Sequence, residues 1–244
     1  MHRHFDDELD ALRGRIVTMG GLAESMIHKA VRSLIEQRED YWDQVFLMEE
    51  EVNELQIEID DRAIHAAALQ QPLATDIRFV FMSSRIASDL ERIADQAVNI
   101  CQNAKFLLQA PPLKPLIDLP IMAAIAEKMV HDGLDALVRR DVALAATVLA
   151  EERKVDAFKD QIFRELLTYM MGDTATIPRA LAYIFISRNL ERVGDHATNI
   201  AEEAIYLVQG RDVRHHHETK VRNRPPGGGA KGPEPPPDGA MPVP

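Results

Sequence analysis

The sequence predicts an all-α chain: two tandem antiparallel three-helix bundles related by an internal repeat, followed by a disordered Pro/Gly-rich tail. Three observations carry that prediction. Between residues 4 and 210 apolar residues recur at helical spacing, and no stretch sustains strand alternation. The six prolines of that region (Pro72, Pro111, Pro112, Pro115, Pro120 and Pro178) all fall where a helical pattern stops. Lastly, DLERIADQAVNI at 89–100 returns as NLERVGDHATNI at 189–200, identical at seven of twelve positions.

Six helices follow in order. The first is read over 4–37, with Gly20 and Gly21 as an isolated pair that allows close helix contact rather than cradling a phosphate. The second covers 39–70. Its EEEVNELQIEI resembles EERKVDAFKDQI of the fifth helix once Val52 is set on Val155. The third runs over 73–109 and holds the first copy of the repeat. Ile86, Leu90, Ile93, Ala97, Ile100 and Ala104 step by four and three along it, which makes one apolar seam. The Pro-rich segment APPLKPLIDLP at 110–120 separates the halves. Beyond it come helices over 118–139, 141–171 and 176–209, and the last repeats the seam as Ile186, Leu190, Val193, Ala197, Ile200 and Ala204. The domains are therefore read as 1–110, a linker at 111–120, 121–210, and a tail at 211–244. That tail holds 8 of the 14 prolines and 5 of the 12 glycines, too little apolar matter to offset its ordering entropy.

Composition removes several function classes. The net charge of −11 argues against sequence-independent nucleic-acid binding, which needs a basic face. A single cysteine, Cys101, makes an intramolecular disulfide and a CxxC zinc site impossible, and it reads as a buried, inert thiol. The N-terminus lacks signal-peptide order, and no 18-residue apolar run occurs. The expectation is a soluble cytoplasmic protein that reaches a membrane through protein partners. The sequence contains no GxxxxGK[ST], GxGxxG, GxSxG or HExxH, so it is read as a non-enzyme.

Acidic rows are what chemistry remains. Glu91 and Asp95 stand four apart on one helix face, and Asn99 continues the row; Glu191, Asp195 and Asn199 repeat it. Such carboxylate pairs repel unless an arginine, a metal cation or water offsets them. Arg92 and Arg192 are adjacent in sequence but point about 100° away at 3.6 residues per turn. The fifth helix adds Glu152, Asp156 and Asp160, so that five carboxylates would converge in the second half. Oxygen ligands of this kind suit Mg, Mn, Ca or iron ions. The first-half counterparts Glu49, Asn53 and Ile57 are weaker, and Gln102 stands where the second half has Glu202; the second half is expected to bind metal more tightly. His196 beside Asp195, and Glu127 with His131, read as surface groups.

The opening FDDELDALRGRIVTMGGLAESMI, the stretch LQQPLATDIRFVFMSSRIASDLERIADQAVNI and the second-half NLERVGDHATNIAEEA together resemble the PhoU family, over about residues 4–217. The resemblance implies two three-helix bundles with metal ions at paired E(D)xxxD motifs. In this chain the implied motifs are Glu91 with Asp95, Glu191 with Asp195, Glu152 with Asp156 and Asp156 with Asp160. Asn99, Asn199 and Glu202 complete the candidate ligands, and the metal is open among Mg, Mn, Fe and Zn. It further implies a homodimeric negative regulator of the phosphate-starvation response and of phosphate uptake. Such a regulator is an adaptor between the phosphate ABC transporter, through its ATPase subunit, and a sensor histidine kinase at the inner face of the membrane. The alternatives are an accessory protein of a low-affinity phosphate permease and, behind it, a metal-dependent phosphate-ester hydrolase.

Overall fold

Helices account for nearly all of the computed structural model, which describes residues 4–69 and 74–213. They are α1 (His4–Glu36), α2 (Asp40–Leu69), α3 (Ala74–Leu107), α4 (Asp118–Arg139), α5 (Val142–Gly172) and α6 (Ile177–Gln209), with a 3₁₀ turn at Thr174–Thr176. Each boundary lies within two residues of its predicted place, because the caps that set them are local. Asp141 accepts hydrogen bonds from the Ala143 and Leu144 amides at 2.9 and 3.0 Å and so starts α5. Gly210 ends α6 at φ 65°, where its lack of a Cβ makes the left-handed turn free of strain. Pro72, His215, His216, His217 and the tail from 214 onward lie outside the described residues.

Within each half the three helices pack on one another: α1, α2 and α3, then α4, α5 and α6. The halves meet side by side, α3 against α6 and α1 against α4. The repeated seam dictates the packing within each half, while end-to-end and side-by-side arrangements of the halves were both open from sequence. All six first-half seam residues, Ile86 to Ala104, are fully buried, and Ile186 to Ala204 are at most 1% exposed. Burying a large apolar side chain is worth about 1.5–3 kcal/mol, so the two seams are a main source of cohesion. Small residues set the approach of the helices. A Cβ on Gly20 of α1 would stand 2.6 Å from the Leu134 side chain of α4, and one on Gly133 would stand 3.3 Å from the Ala197 carbonyl of α6. Gly21 meets nothing within 4 Å, so of the pair Gly20 alone serves the contact.

The segment between the halves is pinned rather than loose. Lys114 is buried and ion-paired with Glu165 of α5. Arg179 of α6 donates to the Pro111 carbonyl at 2.8 Å.

Candidate functional site

Most of the acidic-row side chains are half-buried (Glu49, Glu91, Asp95, Glu152, Asp156 and Glu191), whereas Asp195 keeps an exposed side. The rows flank the α3 and α6 seams, so one side of each row faces packed protein. Glu49 of α2 joins Glu91 and Asp95 of α3. Partial burial first, and then the Asp95 charge, holds the Glu49 carboxyl above its ordinary value. Glu91 is raised in the same way, by burial and then by Asp95, with Arg92 opposing. Arg92 is nearer than its helical angle suggested: its guanidinium lies 3.2 Å from Asp95 and 3.5 Å from Glu91. A long flexible side chain bends back across the 100° that separates it from the row.

In the second half Glu152 and Asp156 of α5 face Glu191 and Asp195 of α6. Burial on its protein side raises the Asp195 carboxyl; the charges of Glu191, Glu152 and Asp156 follow as causes. Asp160 stands outside this group, exposed one turn further along α5. Into the cluster reaches Lys159, which sequence reading overlooked. Its Nζ donates to Asp156 Oδ1 and Glu191 Oε1, both at 3.0 Å. The bond to Glu191, ahead of that to Asp156, raises the ammonium's pKa against the opposing effect of burial. An i, i+3 relation to Asp156 within EERKVDAFKDQI was the signal that could have shown it.

The donor chemistry, hard oxygens in half-buried rows, fits a divalent cation. The placement is less closed: among the described residues no three His, Cys, Asp or Glu side chains converge as a ready metal site. A cation entering the second half must displace Lys159. At the first-half row it meets Arg92, which is more than half exposed and free to swing away.

The asparagines of the two rows part company. Asn199 donates to Asp89 Oδ1 at 2.9 Å, and His196 Nδ1 meets the same oxygen at 2.9 Å. His196 is thus half-buried between the repeats, not a surface group. Asn99 instead lines a cleft with Asn103, Phe185, Arg188, Asn189 and Arg192. Glu202 is half-buried two turns beyond Asp195. Glu127 of α4 meets His28 at 3.2 Å, and His131 meets Glu24 at 3.4 Å, so these too are cross-helix pairs. Cys101 is buried, and that burial pushes its thiol up to about 12.

The profile of the PhoU domain matches residues 16–104 and 119–204, one copy per bundle. The chain belongs to the PhoU family. It is 38% identical over 213 residues to the phosphate-specific transport system accessory protein PhoU of Escherichia coli, covering 86% of this chain and 88% of that protein. The PhoU homolog of Pseudomonas aeruginosa is 37% identical over 90% of this chain and 91% of its own. In three dimensions, the crystal structure of PhoU from Pseudomonas aeruginosa matches with a TM-score of 0.83 at 36% identity, covering 85% of this chain and all of that one. The phosphate transport system regulatory protein PhoU from Streptococcus pneumoniae matches at 0.78 and 26% identity, over 86% of this chain and 99% of that one. As a PhoU-family chain it carries the domain twice. Among the described residues no helix is long and apolar enough to cross a membrane.

Proposed function

We propose that this chain is an accessory protein of phosphate-specific transport that represses the phosphate-starvation response when phosphate is plentiful. It acts as an adaptor, without catalysis of its own, between the phosphate ABC transporter and its sensor histidine kinase. The observation that carries this reading is the near full-length similarity to relatives named as accessory proteins of that transport system. The surface supports a partner-binding role. Leu47, Ile64 and Phe81 are 69%, 67% and 70% exposed, single apolar side chains on α2 and α3 that a partner can cover. A net charge of −11 suits basic cytoplasmic faces of membrane partners. Divalent or iron-type cations belong to the proposal at the carboxylate rows, where Glu49, Glu91 and Asp95 are the first-half donors. A homodimer completes it.

The deciding experiment is an alkaline phosphatase reporter in a deletion strain grown with excess phosphate. The reporter is expected to stay on and to be switched off by the restored gene; a reporter that remains off overturns the regulatory reading. Capture of the transporter ATPase and the kinase from native membranes tests the adaptor. Metal analysis of untagged protein, against Glu91→Gln with Asp95→Asn, tests the cations.

A further inference from the structure

The α3–α6 packing creates two sites that correspond through the repeat, and they have diverged in charge. The first is self-satisfied. Arg85 Nη1 donates to Glu203 Oε1 at 3.0 Å, while His196 and Asn199 hold Asp89 at 2.9 Å. Arg92 is taken up by Asp95 and Glu91. At the matching positions of the second cleft, 100 residues away in sequence, both carboxylates are replaced by amides. Asn189 stands for Asp89, and Asn103 stands for Glu203. Arg85 is replaced as well, by Phe185, yet the count of arginines is kept. Arg192 is retained, and Arg188 is added where the first repeat has Ser88. Two arginines four residues apart on one helix repel each other by default. Neither has an ion pair among the described residues, and both are exposed.

We propose that this second cleft binds a small phosphate-bearing anion. It is an open hollow of ≈ 340 Å³ lined by Asn99, Asn103, Phe185, Arg188, Asn189 and Arg192. Its six residues bring two guanidinium forks and three carboxamides, and no carboxylate. Guanidinium forks match the oxygens of phosphate in paired hydrogen bonds, and amide N–H groups add neutral donors around them. Asn103 spends one N–H on the Asn99 carbonyl at 2.8 Å, which holds its amide in place. Chloride or water gives the arginines no comparable paired geometry. The hollow exceeds inorganic phosphate in size, so a phosphate ester has room beside the half-exposed Phe185 ring. In a protein of net charge −11, the six lining residues carry two positive charges and no negative one. The inference does not depend on the regulatory reading: the cleft can bind an anion whether or not the chain represses a response, so the two tests fail separately.

Calorimetric titration of the full chain with inorganic phosphate, and in parallel with adenosine monophosphate, tests it at ionic strength matched with sodium chloride. Saturable binding is expected. It should weaken at least about tenfold in Arg188→Gln/Arg192→Gln and in Asn189→Asp, which restores the carboxylate of the first cleft. Tighter binding of the nucleotide assigns the ester as occupant; equal or weaker binding assigns free phosphate. The two arginines are exposed and Asn189 is half-buried with an isosteric replacement, so circular dichroism and the unfolding midpoint without ligand should not move. Arg140→Gln, exposed at the end of α4 and not among the lining residues, should bind as the unaltered chain does. Absence of saturable binding at millimolar phosphate and nucleotide overturns the proposal. So does binding that the double variant leaves intact.

Discussion

In the first half, the acidic row is met by an arginine of its own helix: Arg92 of α3 leans back onto Glu91 and Asp95. In the second half the equivalent row is met from another helix, by Lys159 of α5 bridging Asp156 and Glu191. Arg192, which sits where Arg92 does, turns instead toward the cleft it shares with Arg188. Duplication thus kept the backbone and the seam and reassigned the counter-ions. An ion pair within one helix depends on that helix alone, whereas a bridge from α5 to α6 ties charge balance to the packing of the half. The second half is therefore the one whose acidic row should respond most to loss of a single cation.

The largest effects test what the halves share. Leu90 and Leu190 are both fully buried in equivalent seams. Leu90→Ala and Leu190→Ala should each cost about 2–5 kcal/mol in urea unfolding, by lost burial and a residual cavity. A difference between them beyond that range would show that one half unfolds on its own.

Next come the two clefts. The Glu203 side chain is only 6% exposed and takes a hydrogen bond from Arg85. Arg85→Ala removes one hydrogen bond to this buried carboxylate and should therefore cost about 1 kcal/mol. Arg188→Ala, at an exposed residue with no ion pair among the described residues, should stay within about 0.5 kcal/mol. Equal losses in thermal unfolding would erase the distinction between a satisfied and an open cleft.

A comparable effect is expected at the bridge. Lys159→Met should lower stability by about 1 kcal/mol, since its two bonds are only partly shielded from water. Added Mg²⁺ or Mn²⁺ should stabilise this variant more than the unaltered chain, because the competing ammonium is gone. If divalent cations stabilise both alike, Lys159 and the metal do not share a site.

The smallest concerns Asp195. Burial and three neighbouring carboxylates raise its pKa in the folded chain. A raised acid binds its proton more tightly folded than unfolded. Its stabilising contribution is full below the unfolded value and is lost as pH climbs through the folded one. Asp195→Asn should thus gain about 0.3 kcal/mol at pH 7 without metal, the size of one i, i+4 repulsion, and flatten the fall of stability above the carboxylate range. A variant less stable than the parent at pH 7, with chelator present, would break this account.

Helix positions and the buried seams were legible in the chain because each rests on local rules; that the halves meet side by side, α3 against α6, was not. Periodicity marks the apolar face, proline marks where a helix cannot continue, and a repeat copies both. The acidic rows were legible for the same reason, since residues four apart share a face whatever surrounds them. What lies across from a row was not. That Lys159 reaches Glu191, that Asp89 is claimed by His196 and Asn199, and that Glu24 finds His131 all depend on how one helix is rotated against another. Asn99 and Asn199 illustrate the limit: they occupy matching places in the repeat, yet one lines an arginine cleft and the other serves an aspartate. The repeat by itself determined the scaffold, because short-range sterics and burial favour one answer. Tertiary packing decided the charges, because a side chain several bonds long has many partners within reach and takes the one that packing brings close.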